Sequence, residues 1–252
     1  MNYNKYPLIT YGDQMYDASK MRTDKEMVAS NANFIYLLQM PVHISILKEA
    51  LAGDTSMICR IANPDQDLLK FIFDYDISQV LYLEEDNVSK DNLKWVLLEL
   101  GRALRNRSDM VKLSECKIMD VSDFDGMVKS LSVSKMIKSC RGIKNASIGD
   151  LVKITLYMFT KHAESVFDDN EYLRFVQDLV YDGIPAIFQY AKESVQEKHF
   201  VLVTVCKSPA QLQFIKNDSL RAEIINIMHE YYENWDDVYN QAIHPIDDDN
   251  VW

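Results

Sequence analysis

Glycine and proline are scarce in this chain, seven and six in 252 residues. Both shares are less than half of the usual values, roughly 7% and 5%. That scarcity excludes collagen-like, low-complexity and turn-rich all-β classes. Cysteine is scarce as well. Cys59, Cys116, Cys140 and Cys206 lie far apart and form no CxxC pair, so they read as reduced thiols, mostly in a core. Long apolar runs are missing. The stretch Met27–Leu47 has no charge but carries Asn31, Asn33, Gln39, Pro41 and His43. Those groups make it a poor membrane span, and it reads as two packed helices joined at Pro41. Met1–Thr10 has no apolar core of the length that a secretory signal needs. The expected location is cytoplasmic.

Positive charge is in deficit, with 27 Lys+Arg against 38 Asp+Glu and a net charge of −11. The imbalance is uneven along the chain. Residues 1–50 are neutral, 51–100 carry −6, 101–150 carry +4, 151–200 carry −3 and 201–252 carry −6. A basic middle therefore sits between acidic parts. An acidic whole repels nucleic acid at long range and aids solubility. The 48% apolar and 11% aromatic content excludes a disordered chain.

What is present is helical periodicity and a recurring nine-residue pattern. Ala32–Met40, Thr55–Asn63, Ile77–Glu85 and Arg107–Glu115 align with Pro185–Glu193 and Pro209–Asn217. The fourth position is always apolar (Ile35, Ile58, Val80, Met110, Phe188, Leu212). So is the seventh (Leu38, Ile61, Leu83, Leu113, Ala191, Ile215). A three-residue step puts both on one helix face. The copies start 23, 22, 30, 78 and 24 residues apart. Between them lie longer apolar helix patterns at Asp67–Phe73, Asn92–Leu98, Tyr172–Val180 and Ala222–Met228. Ser89, Asp168 and Asp218 stand before such patterns as N-caps. Each unit is then a longer helix, a tight turn, a short helix and a capped loop. A unit this short cannot bury its own face, so units must stack.

These copies resemble the short two-helix repeats of bacterial and phage proteins, a compressed relative of HEAT-type solenoids. The resemblance covers residues 32–115 and 168–230. It implies an all-α fold in which irregular two-helix repeats stack as a compact curved solenoid. It also implies a surface for binding another protein, and it carries over no catalytic residue. The expected organisation is an N-terminal segment (1–26), a repeat half (27–115), a basic irregular connector (116–150), a second repeat half (151–240) and an acidic tail (241–252). Within the connector, 124–140 reads as a helix, and Lys117–Ser122 fits a short strand or a loop. Asp150 is expected to cap a long helix. Tyr6–Gly12 has strand-like residues without an obvious partner.

Catalytic fingerprints are missing. No GxGxxG or GxxxxGK phosphate loop occurs. Thr10–Asp13 has no strand and helix alternation after it of the kind a nucleotide-binding fold requires. His43, His162, His199, His229 and His244 are widely spaced. His229–Glu233 starts like the zinc protease pattern HExxH, but Glu233 stands where the second histidine belongs. A His229–Glu233 pair on one helix face is the simpler reading. Asp168, Asp169 and Glu171 lack the alternation of a calcium loop and suit a helix N-terminus. Cys140 lies near Lys138 and Arg141, which would favour its thiolate, but no general base accompanies it. Cys206 sits in an apolar run and reads as buried.

Two stretches remain as candidate contact surfaces. Arg102, Arg105, Arg107, Lys135, Lys138 and Arg141 form the basic middle. Converging on one face, they would suit phosphate or an acidic protein. Spread out, they balance the acidic flanks. Phe124 is the single aromatic between them, which weakens single-strand binding by base stacking. Tyr231, Tyr232, Trp235 and Trp252 mark an aromatic, acidic end. No cofactor or metal is implied.

The reading is a non-catalytic helical-repeat module that binds another protein, as a regulator or inhibitor of a cellular machine. The alternatives are an acidic DNA mimic, a nucleic-acid-associated protein using the basic middle, and an enzyme whose site only folding assembles.

Overall fold

A computed structural model of the chain describes residues 5–6, 21–30, 35, 42–53, 58, 61–107 and 142–243. These residues are mostly helical. The exception is a short antiparallel ladder, β1 (Lys5–Tyr6) against β2 (Val42–His43), with Lys5 opposite His43 and Tyr6 opposite Val42. Of the strand-like segment Tyr6–Gly12, Tyr6 thus pairs with Val42, and residues 7–12 lie outside the described residues. The described residues fall into two compact units. The first comprises residues up to 104 together with 142–166, and the second comprises 105–107 with 167–243.

In the first unit α1 (Met21–Ser30) packs on α2 (Ile44–Gly53), with β2 directly before α2 in the uncharged stretch. α3 (Gln66–Tyr75) follows. Asp65 caps it, its carboxylate accepting from the Leu68 amide at 3.0 Å. Leu68, Leu69, Ile72 and Phe73 form its buried stripe, the spacing of one helix face. Asp76 then does two jobs. Its amide donates to the Ile72 carbonyl and ends α3, while its carboxylate accepts from the Ser78 amide and opens the 3-10 helix Ile77–Tyr82. α4 (Lys90–Arg105) starts at Ser89, whose hydroxyl accepts from the Asn92 amide. α5 (Ile148–Val166) packs on the 3-10 helix, and Leu151, Ile154 and Met158 are among its buried residues. Its N-terminus corrects one expectation. The Ser147 hydroxyl accepts from the Asp150 amide at 3.0 Å, so serine is the cap and Asp150 lies inside the first turn.

The second unit opens with α6 (Asp169–Tyr181) and a complete capping box. The Asp168 carboxylate accepts from the Glu171 amide, and the Glu171 carboxylate accepts from the Asp168 amide. This explains the local acidic cluster, because carboxylates there satisfy first-turn amides and meet the positive helix end. Gly183, at φ 97°, makes the turn out of α6 in the left-handed region. The 3-10 helix Pro185–Tyr190, α7 (Lys198–Lys207), the 3-10 helix Pro209–Phe214, α8 (Asp218–Tyr231) and α9 (Trp235–Ile243) complete the unit. Asn217, not Asp218, caps α8 by accepting from the Leu220 amide. α9 carries helix three residues into the segment read as tail.

Three of the nine-residue segments thus fall on 3-10 helices. A 3-10 turn has three residues, so i and i+3 eclipse. The fourth position lies in each 3-10 helix and the seventh is its C-cap. Val80, Phe188 and Leu212 are buried at the fourth position, and Leu83, Ala191 and Ile215 at the seventh. Each seventh-position amide donates to the fourth-position carbonyl, at 3.1, 2.9 and 3.3 Å. Ile35, Ile58 and Ile61 are buried as well. The remainder of the first copy, the Arg107–Glu115 copy beyond Arg107, the 124–140 helix and Lys117–Ser122 lie outside the described residues.

Candidate functional site

The aromatic end of the second unit is built by the close of α8 and the start of α9. Trp235 is 2% exposed, and α9 packs on the 3-10 helix Pro209–Phe214. Tyr239 stacks on Trp235 at 6.2 Å, and Tyr232 lies tilted against it at 5.9 Å. Trp235 is therefore the anchor of this end and presents almost no surface to a partner. Tyr231, the last residue of α8, is 79% exposed, and Tyr232 is 41% exposed. Glu230, Glu233, Asp236 and Asp237 around them are exposed. α8 ends before Glu233, so the expected His229–Glu233 helix pair does not form. His229 Nε2 instead lies 3.4 Å from Asp236 Oδ1. Trp252 lies outside the described residues.

The basic middle is described only up to Arg107. Arg102 pairs with Glu99 one turn back on α4. Arg105, which groups with the second unit, meets Asp178 at 2.6 Å and Asp182 at 3.5 Å. Arg107 is half-buried. Arg102 and Arg105 are thus held by carboxylates of the same chain. Lys135, Lys138 and Arg141 lie outside the described residues, as does Cys140.

One polar cluster has no counterpart in the sequence reading. Glu84 and Glu85 follow the 3-10 helix Ile77–Tyr82, and α5 brings Lys161, His162 and Ser165 to them. Lys161 Nζ lies 2.5 Å from Glu84 Oε1 and 3.3 Å from the Tyr157 hydroxyl. Ser165 Oγ donates to Glu85 Oε1 at 2.5 Å. His162 is 1% exposed, with Nδ1 3.5 Å from the same Glu85 oxygen. Burial first, and then the Lys161 charge, pull the His162 pKa down. The Ser165 hydroxyl, helped by His162, holds the Glu85 carboxyl below its ordinary range. Burial opposes charge on Lys161, but Glu84 and Tyr157 together outweigh it and raise that pKa. The geometry is a clasp and not a nucleophile with its base. Glu85 takes the Ser165 hydroxyl, and the His162 ring faces the same carboxylate.

Other chemistry-bearing groups are dispersed. Cys206 is exposed, contrary to the expectation of burial, although partial desolvation still pushes its thiol pKa up. A broad polar hollow of about 660 Å³ lies among Glu193, Ser194, Gln196, Asn217, Ser219 and Glu223. Of its lining residues, Glu223 is paired with Lys198 at 2.5 Å. Among the described residues no group of three or more His, Cys, Asp or Glu could hold a metal ion, and no helix is long and apolar enough to cross a membrane.

Buried polar side chains tie neighbouring segments together. Asn87 accepts from the Glu84 amide at 2.9 Å and donates to the Ile58 carbonyl at 3.4 Å. The Asn63 amide donates to the Asn87 carbonyl at 2.6 Å. Gln196 donates to the Phe214 carbonyl at 3.2 Å and accepts from the Lys216 amide at 2.9 Å. Helix ends are closed in the same manner. Gln79 donates to the Leu51 carbonyl at the end of α2, and Lys207 donates to the Tyr181 carbonyl at the end of α6.

Comparison with protein-family models, with curated proteins and with solved structures finds no match to this chain.

Proposed function

We propose that this chain is a non-catalytic helical-repeat module that binds another protein. The observation that carries the reading is the recurrence of an α-helix followed by a buried 3-10 helix at Ile77–Tyr82, Pro185–Tyr190 and Pro209–Phe214. On this reading each such pair is one irregular two-helix repeat of a curved stack. Asn87 and Gln196 are the polar links between successive repeats. A stack of this kind uses its buried face for cohesion and leaves its outer side chains to vary, which suits partner binding. Tyr231 and Tyr232 supply exposed aromatic area, the residue type enriched in interface hot spots.

The test is affinity capture from a native lysate, with and without nuclease, read by mass spectrometry. A nuclease-resistant protein partner lost in the Tyr231→Ala/Tyr232→Ala pair is the expected result. Capture that depends wholly on nucleic acid would overturn the reading and favour the basic segment.

A further inference from the structure

The proposed module does not specify its partner's chemistry, but the surface at the end of α8 does. Tyr231 and Tyr232 are the exposed aromatics there, and buried Trp235 supports Tyr232. Residues 218–243 hold one Lys or Arg, Arg221, against six carboxylates. Arg221 is already engaged by Asp218 at 3.1 Å and by the Ile215 carbonyl. The carboxylates of Glu230, Glu233 and Asp237 stand in solvent beside the tyrosines in the chain.

Resting on the binding-module reading, we propose that this surface docks a lysine- and arginine-rich segment of a partner protein. The tyrosine faces attract cations through their ring quadrupoles. The flanking carboxylates offer charge-assisted hydrogen bonds to guanidinium groups. Tyr232 is already held against Trp235, so that ring loses little side-chain freedom on docking. The same carboxylates repel phosphate, which excludes nucleic acid as the occupant of this surface.

The probe is a fluorescein-labelled peptide of alternating arginine and serine, with citrulline replacing arginine in the control. Binding to the full-length chain is followed by fluorescence anisotropy near physiological salt. Saturable binding of the arginine peptide alone is expected. Tyr231→Ala/Tyr232→Ala should weaken it about tenfold with net charge unchanged. Glu230→Gln/Glu233→Gln should weaken it comparably. Asp67→Asn/Asp91→Asn in the first unit removes as much charge and should change it less than about twofold. Thermal melting confirms that each variant is folded. Equal weakening by the Asp67/Asp91 pair, or indifference to the tyrosine pair, overturns the proposal, because diffuse net charge would then explain the binding. Binding of a short DNA strand that the tyrosine pair abolishes overturns it too. If the peptide fails to bind while the tyrosine pair still abolishes capture of a protein partner, the cationic chemistry is wrong and the module reading stands. If neither effect appears, both fall.

Discussion

The carbonyl oxygen of Asp74 occupies the place where a side chain on Gly142 would begin. A Cβ at residue 142 would lie 2.0 Å from that oxygen. The close approach has a purpose, because the next amide, Ile143, donates to the Phe73 carbonyl at 2.6 Å. Carbonyls in the last turn of a helix lack intrahelical partners, and the segment entering α5 supplies one to α3. Gly142→Ala should therefore destabilise the first unit by about 1–3 kcal/mol, the usual range for overpacking. Urea unfolding checks this, and an unchanged midpoint would show that the backbone relaxes freely.

Acid should loosen the same unit through the clasp of Glu85 with His162 and Ser165. The His162 pKa is lowered in the folded state, so the unfolded chain takes up that proton first. Stability then falls as pH drops below about 6.5, the ordinary histidine value. Glu85, whose folded pKa is also lowered, adds stability above its unfolded value and loses it as pH falls through the folded one. Both signs point to acid weakening. Lys161, with its pKa raised, adds stability that is lost only at strongly alkaline pH. His162→Met should flatten the stability profile between neutral and mildly acid pH, measured by urea unfolding across that range. A slope identical to that of the parent would remove His162 from the account.

Trp235 and Tyr231 should behave as opposites. Trp235→Ala removes a buried ring that supports α9 and should cost about 3–5 kcal/mol. Tyr231→Ser changes an exposed side chain and should stay within about 0.5 kcal/mol. Thermal melting of the two variants separates an anchor from a contact residue. Equal losses would mean that Tyr231 also packs.

Gln196 is buried and joins the Phe214 carbonyl to the Lys216 amide. Gln196→Leu keeps similar bulk but strips both groups of their partner. Each buried orphan costs about 1–3 kcal/mol. Amide exchange at Lys216 should accelerate well beyond any global change. Protection preserved at Lys216 would show that this amide does not depend on Gln196.

Some of this was legible because it is local. Asp168 caps its helix with Glu171 three residues on, since a capping box needs only neighbours in sequence. The apolar step of three at Val80–Leu83, Phe188–Ala191 and Leu212–Ile215 marked short helices correctly. It left open whether they were α or 3-10, because i,i+3 spacing serves both. Asp150 and Asp218 were misassigned as caps because Ser147 and Asn217 offer equivalent oxygens nearby, and backbone angles choose between them.

The sequence by itself determined a helical, acidic chain with few breakers, since composition, periodicity and capping act within a turn or two. Tertiary structure alone decided which groups meet across long separations. Glu85 found Ser165 and His162 because α5 packs on the 3-10 helix before it. Arg105 found Asp178 rather than a free surface. Trp235 went into the core while Tyr231, four residues earlier, stayed in water, because the close of α8 and the packing of α9 set which ring faces inward. Periodicity fixes a face only within one helix. Contacts between helices depend on turn angles and packing, which no local pattern encodes.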